Sequence, residues 1–230
     1  MITDLLKKIM TPVRLIEVIE EVPETYTFKF ETPENISWTP GTHAHFLIAD
    51  LQKGQALNRQ LVREFSIMSH PGEGYLGVTT RIRSNPSLCK QAMKALKPGD
   101  QIQIFKIRNH IKLQKTDNPI IIISMGVGIA TFRPIMLDYI KSNTQISITN
   151  INIDRSGKFV YWGELSNIPE TKLKNIFVTS RNDLYKSIDK ALKNKNNIYY
   201  IIGSEDFNRD IGIYLAKNSV SKSLIKFDKR

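Results

Sequence analysis

Residues Ile120 to Met136, IIIISMGVGIATFRPIM, constrain this chain more than any other stretch. Four consecutive isoleucines read as a buried strand. Gly126 and Gly128 then make a tight turn, and a helix is expected to begin near Ile129 or Thr131. Glycines let the backbone approach a ligand, and the N-terminus of a helix offers unpaired N–H groups with partial positive charge, so such a turn suits a dinucleotide phosphate. A parallel sheet can also use a strand, a Gly-x-Gly turn and a helix for packing alone, so both readings stay open for this element by itself.

The rest of the second half extends the same pattern. Beyond Asp117-Asn118-Pro119 strands and helices alternate: strand 120–124, helix 130–142, strand 145–151, a hairpin-like piece at 157–162, strand 175–179, helix 183–193, strand 198–202, helix 205–218 and a short strand at 224–227. Alternation of this kind predicts a doubly wound parallel sheet with helices on both faces. Its ligands belong at the carboxyl ends of the strands, where Gly126, Ser180-Arg181 and Gly203-Ser204-Glu205 all fall.

The first half reads differently. Val13 to Val22 and Tyr26 to Glu31 alternate apolar and polar residues across a Pro-Glu turn, and His45 to Ile48, Phe65 to Met68 and Leu76 to Thr80 are further short strands. Turns recur at Pro40-Gly41, Pro71-Gly72-Glu73-Gly74 and Pro98-Gly99-Asp100, as in a small antiparallel barrel or sandwich. One helix interrupts, from about Pro86 to Leu96, opened by Ser84-Asn85-Pro86-Ser87. A polar cap with proline in the first turn gives a helix start and a second candidate anion site. The predicted organisation is a barrel domain at 1–116 and an α/β domain at 117–230.

Composition narrows the chemistry. A single cysteine, Cys89, excludes an intrachain disulfide and cannot hold an iron–sulfur cluster, which takes about four cysteines. The four histidines show no metal signature; His43 and His45 share a strand face with no third ligand at hand, which favours a structural role and no metal. No segment approaches the ~20 apolar residues of a membrane span, and MITDLLKKIM carries no long apolar run, which predicts a cytoplasmic protein. The 33 Lys and Arg against 22 Asp and Glu leave a net charge of +11, which favours acidic partners. Lys-rich stretches such as Lys186 to Lys195 also read as solvated helix faces. Nucleic-acid binding would rest on charge alone, since no element interleaves a basic stripe with aromatics.

Arg63-Glu64-Phe65-Ser66 on a barrel strand, followed by Gly126-Val127-Gly128-Ile129 and then Phe132-Arg133, resembles the ferredoxin–NADP reductase superfamily over nearly the whole chain. Trp38-Thr39-Pro40-Gly41, Lys97-Pro98-Gly99-Asp100 and Tyr199-Tyr200-Ile201-Ile202-Gly203 are similar to other segments of that family. The resemblance implies an FAD-binding β-barrel and an NAD(P)-binding α/β domain. It assigns Arg63 to the flavin pyrophosphate, Phe65 to packing on the flavin, and Ser66 to a catalytic hydrogen bond near flavin N5. Ser84, Asn85 and Ser87 become pyrophosphate candidates, joined by Arg81 or Arg83; a plain helix cap competes for each of the three.

In the second domain the resemblance sets Gly126, Gly128 and Thr131 at the dinucleotide phosphates, Thr131 standing where the family usually has proline. Ser180 and Arg181 fall at the adenosine ribose or its 2′-phosphate, with a lean to NADPH over NADH. Gly203, Glu205 and Asp206 fall near the nicotinamide. Ile202 replaces a cysteine found in many relatives, and at the C-terminus the position of a flavin-covering aromatic falls on Arg230 unless Phe227 serves from a shifted register. The expected function is an NAD(P)H-dependent flavin oxidoreductase, a monomer passing electrons to an acidic ferredoxin or flavodoxin, an oxygenase component or a small-molecule acceptor. The alternative is a flavin-binding sensor or regulatory subunit with an altered nicotinamide site.

Overall fold

The computed structural model describes residues 10–49, 58–109, 111, 117–142 and 146–228. The chain divides into two compact units, Met1–His110 and Ile111–Arg230.

The first unit is built on six antiparallel strands: β1 (Thr11–Val22), β2 (Thr25–Glu31), β3 (Thr42–Leu47), β4 (Val62–Ser66), β5 (Tyr75–Arg81) and β6 (Gln101–Asn109). Their order is β4-β3-β6-β1-β2-β5. The two edge strands meet where the chain runs on past β4. Ile67 N–H donates to the Thr42 carbonyl at 2.9 Å, and Met68 N–H to the Gly77 carbonyl at 2.8 Å. The second bond carries the chain beyond β4 to β5, so the sheet curls into a barrel-like form. Gly77 leaves room there for the Met68 side chain, whose Sδ would stand 2.6 Å from a Cβ at this position.

Alternation along the strands sends Val13, Leu15, Phe28, Phe30, Phe46, Phe65, Leu76, Val78, Ile102 and Ile104 into one core. Helix α1 (Leu88–Ala95) adds Cys89 and Met93 to that core, so its polar first turn is fixed beside the barrel. The helix begins two residues later than proline placement predicts: Ser87 is the cap and Pro86 precedes it. Strand β4 likewise starts three residues earlier than expected, which brings the whole Arg63–Ser66 motif onto the strand.

The second unit contains β7 (Ile120–Met125), α2 (Ile129–Lys141), β8 (Ile148–Ile153), α3 (Trp162–Ser166), β9 (Lys174–Val178), α4 (Arg181–Ala191), β10 (Ile198–Ile202), α5 (Glu205–Lys217) and β11 (Ile225–Phe227). All five strands are parallel, in the order β11-β10-β7-β8-β9. Successive isoleucines of β7 serve opposite faces. Ile121 and Ile123 pack with Tyr199, Ile201 and the apolar sides of α4 and α5. On the other face α2 covers the sheet, and Phe132 meets Tyr200 edge-on at 6.2 Å. The sheet is therefore doubly wound, with its order reversing between β7 and β10, where ligands of such sheets bind.

One expected element is corrected. Residues 157–162 form no hairpin; the chain turns through Tyr161 at φ 59° and enters α3. The aromatic residues of this stretch go to separate partners: Phe159 packs on Phe177 at 5.0 Å, while the Arg133 guanidinium lies over the Tyr161 ring at 5.4 Å. Residue 145, where the next strand was expected to begin, lies outside the described residues, and β8 starts at Ile148.

Candidate functional site

In the barrel unit, β3 and β4 pair His43 with Ser66, Ala44 with Phe65, His45 with Glu64 and Phe46 with Arg63. Alternation then separates the motif. Phe65 points into the core, edge-on to Phe46 at 5.8 Å, while Ser66 lies on the opposite face beside His43. Ser66 Oγ stands 3.0 Å from His43 Nε2, and both side chains are buried. A hydroxyl held by an imidazole has a defined orientation and a titratable neighbour, so it can hold or pass a proton. The sequence shows His43 only as one of two histidines on a strand face. Its partnership depends on the β3–β4 register, which strand patterning does not specify.

Arg63 is exposed at the level of α1. Its charge acts on Lys90, in the first turn of that helix, together with the charges of Arg83 and Arg81. Burial, followed by these three guanidiniums, pushes the half-buried Lys90 ammonium below its ordinary range. Cys89 opposes the shift, and the Lys90 Nζ donates to the Arg81 carbonyl at 2.5 Å. Ser84, Asn85 and Ser87 are exposed on the loop that enters the helix, and Ser87 makes no side-chain capping bond. Lys90, the three guanidiniums that act on it and the start of α1 thus gather positive potential in one place, which favours an anion there. Burial raises the Cys89 thiol, against the pull of Arg63 and Lys90, which keeps it from thiolate chemistry. Lys90 escaped the sequence reading because a lysine in a helix is indistinguishable from a solvated one until its burial is known.

At the carboxyl edge of the parallel sheet, Gly126 takes φ 56° at the entry to the turn. Gly128 answers to packing: a Cβ there would come within 3.1 Å of the Ile202 carbonyl oxygen and 3.3 Å of Ile202 Cγ2, so the glycine lets α2 start against the end of β10. Thr131 is buried in the first turn of α2. Gly203, beyond β10, is also required by packing, since a Cβ there would collide with the Phe207 ring.

Ser180 caps α4, accepting from Asp183 N–H at 3.1 Å and donating its hydroxyl to Asp183 Oδ2 at 2.7 Å. That bond holds the Asp183 carboxyl below its ordinary range. Arg181 is paired with Asp210 at 2.9 Å, and hydrogen bonding to Asp210 raises its pKa further. Glu205 and Asp206 are exposed in the first turn of α5, where acidic groups complement the helix dipole, and Asp206 pairs with Arg209 at 2.7 Å. Phe227 pairs in register with Ile201 on β11 and lays its ring on α5, where a Cβ at Gly212 would be 2.7 Å from Phe227 Cζ. Arg230 lies outside the described residues.

The structure therefore brings Arg63, Ser84, Asn85 and Ser87 to one end of the barrel around α1. It places Gly126, Gly128, Thr131, Gly203, Glu205 and Asp206 about the reversal between β7 and β10. Among the described residues no group of three or more His, Cys, Asp or Glu could hold a metal, and no helix is long and apolar enough to cross a membrane.

The barrel-like antiparallel sheet and the parallel sheet of this strand order are a fold shared with solved reductases, which superpose on nearly the whole chain. The cytochrome P450 reductase GcoB of Amycolatopsis matches with a TM-score of 0.80 at 12% identity, over 96% of this chain and 70% of that one. The ferredoxin-NADP+ reductase of Plasmodium falciparum matches with a TM-score of 0.78 at 17% identity, over 96% of both chains. The flavohemoglobin of Malassezia yamatoensis, solved with bound FAD and heme, matches with a TM-score of 0.75 at 13% identity; this chain spans 59% of its length. No family model matches the chain, and no curated protein matches it in sequence.

Proposed function

We infer that the protein is an FAD-dependent NAD(P)H oxidoreductase that passes electrons from a nicotinamide to a one-electron acceptor. The observation that carries the reading is the gathering of Arg63, Arg81, Arg83 and Lys90 at the start of α1, which fits the diphosphate of a dinucleotide flavin. When bound, FAD supplies hydride acceptance and single-electron release. Arg63 and Lys90 hold the diphosphate, with Ser84, Asn85 and Ser87 offering polar groups from the loop. Ser66, oriented by His43, holds a proton at its Oγ beside the reacting end of the flavin. No separate nucleophile or general base is needed for such chemistry.

Gly126, Gly128 and Thr131 are assigned to the nicotinamide dinucleotide, with Gly203, Glu205 and Asp206 toward its reactive end. Ser180 and Arg181 take the adenosine side, and the Arg181 guanidinium keeps the lean to NADPH. A 2′-phosphate there displaces Asp210 from Arg181, an exchange of a surface ion pair worth about 0–1 kcal/mol for a charge-assisted bond worth about 1.5–3 kcal/mol. The net positive charge suits an acidic ferredoxin or flavodoxin as acceptor, with an oxygenase component or a small molecule as the other candidates.

The second reading, a flavin-binding regulatory subunit with an altered nicotinamide site, draws on Ser180 and Arg181 being engaged by Asp183 and Asp210. One experiment separates the two. The purified protein, supplied with FAD, is expected to show flavin absorbance that bleaches anaerobically with NADPH, and more slowly with NADH. Flavin bands that survive both nucleotides support the regulatory reading, and a protein that takes up no FAD defeats both. Arg63→Ala is expected to weaken FAD binding by about 1.5–3 kcal/mol, the worth of a charge-assisted hydrogen bond. Full FAD occupancy in that variant at limiting FAD would reject the diphosphate assignment.

A further inference from the structure

Asn152 lies on β8 directly opposite Ser124 of β7, and it is completely buried. Its amide nitrogen donates to Ser124 Oγ at 2.8 Å and is shared between the Gly126 carbonyl at 3.2 Å and the Ser124 carbonyl at 3.3 Å. One of the two N–H bonds therefore goes to a side chain, while the other reaches the backbone of the glycine turn itself. The Oδ1 of the same amide is buried and has no hydrogen-bond partner among the described residues. An asparagine kept at zero exposure with half its amide unsatisfied is costly, and an apolar residue of the same size would fill the space without that cost. Something other than packing is asked of this position.

The geometry of the peptide shows what that is. In a trans peptide the C=O and the following N–H point in opposite directions. When Asn152 draws the Gly126 carbonyl inward toward β8, it turns the Val127 N–H away from β8. Gly126 reaches this orientation only because φ 56° is open to glycine. We propose that Asn152 is a positioning residue for the nucleotide phosphates: its amide latches the Gly126–Val127 peptide so that the Val127 N–H is presented to the pyrophosphate before the nucleotide arrives. The assignment rests on the reading of this turn as the nicotinamide dinucleotide site. It adds a residue on the neighbouring strand that sets affinity without touching the ligand.

The test uses the full-length, FAD-loaded protein with NADP+ and NAD+ as probes. In Asn152→Leu, which keeps the branched shape and removes the donor, calorimetry is expected to show binding of the better of the two nucleotides weakened about ten-fold or more, with FAD content unchanged. Ser124→Ala removes the other partner of the amide and leaves the Gly126 bond; it is expected to lower the melting temperature while the nucleotide Kd stays within about two-fold. Equal weakening in both variants, or an unchanged Kd in Asn152→Leu, reduces Asn152 to a packing residue and overturns the proposal. A second arm needs no variant. In 15N-labelled protein the Val127 amide resonance is expected to move on nucleotide addition, and binding that leaves it unmoved overturns the proposal by itself. Flavin-loaded protein that binds neither nucleotide overturns the nicotinamide reading together with this one, an outcome distinct from binding with an unmoved Val127.

Discussion

Lys90 and His43 carry the residue-scale argument. The Lys90 ammonium is held less tightly in the folded protein than in the unfolded chain, chiefly by burial and then by Arg63, Arg83 and Arg81. Stability is therefore gained as pH rises through the lowered folded pKa toward the ordinary lysine value, and it is reduced on the acid side of that window, where folded Lys90 must carry its charge among other cations. An anion at the start of α1 reverses the balance, because it favours the charged form. FAD binding is thus expected to take up a proton and to weaken as pH rises through that window. Lys90→Arg should flatten the dependence while preserving affinity, and Lys90→Gln should flatten it and lose about 1.5–3 kcal/mol of binding. Fluorescence titration of FAD over the alkaline range up to the ordinary lysine value measures both; a slope that survives in Lys90→Gln excludes Lys90 as its source. The His43–Ser66 contact yields a coupled prediction. Ser66→Ala and His43→Ala should each retain FAD and slow its reduction by about ten-fold or more, a loss in the range of proton-transfer catalysis. The double variant should be no slower than Ser66→Ala, since one hydrogen bond links the two groups. Additive losses in stopped flow would show that they act separately. Ser66 was readable in the sequence because its neighbours Arg63 and Phe65 form a motif. His43 was not, because a contact between strands 23 residues apart is set by register.

At the scale of elements, local patterns announced most of the sheet, and tertiary contacts decided the rest. The run from Ile120 to Ile123, closed by glycines, reads as a buried strand because both faces of a parallel sheet are covered, and β7 spans it. The start of α1 was misjudged because Ser87 caps the helix by position without a side-chain bond, so cap chemistry could not mark the boundary. Residues 157–162 differ for another reason: a short stretch with apolar residues fits a strand or a loop, and here Phe159 and Tyr161 are taken up separately by Phe177 and Arg133. The glycines of the turn were read as room for a ligand, and the structure divides that role. Gly126 supplies the left-handed backbone, whereas Gly128 supplies clearance between α2 and β10. Gly128→Ala should therefore destabilise the protein by about 1–3 kcal/mol with no nucleotide present, since its Cβ would press on a backbone carbonyl that cannot move aside. Thermal or urea unfolding of the nucleotide-free protein measures this. An unchanged midpoint paired with weakened nucleotide binding would leave Gly128 serving the ligand alone.

For the whole molecule, the question is what the net charge of +11 is for. Part of it serves the helices themselves: Lys141, Lys190 and Lys217 occupy the last turns of α2, α4 and α5, where a cation complements the helix dipole. Part is committed to ion pairs, as in Lys174–Glu170, Lys186–Asp183 and Arg209–Asp206, whose partners leave little field at a distance. The Arg63, Arg81, Arg83 and Lys90 group is assigned to the flavin diphosphate, which neutralises much of it. The net excess acts over distance, and such a charge bears on encounter more than on the bound complex. If the acceptor is an acidic carrier protein, its reduction should slow several-fold as ionic strength rises from about 0.01 M to 0.15 M, where the screening length falls from about 30 Å to about 8 Å. The saturated rate should barely change, because steering governs association. Reduction of an uncharged quinone or dye by the same preparation should be insensitive to salt, which separates steering from any effect on the flavin. Equal salt sensitivity for both acceptors would locate the effect within the protein, and the excess charge would then have no part in choosing the partner.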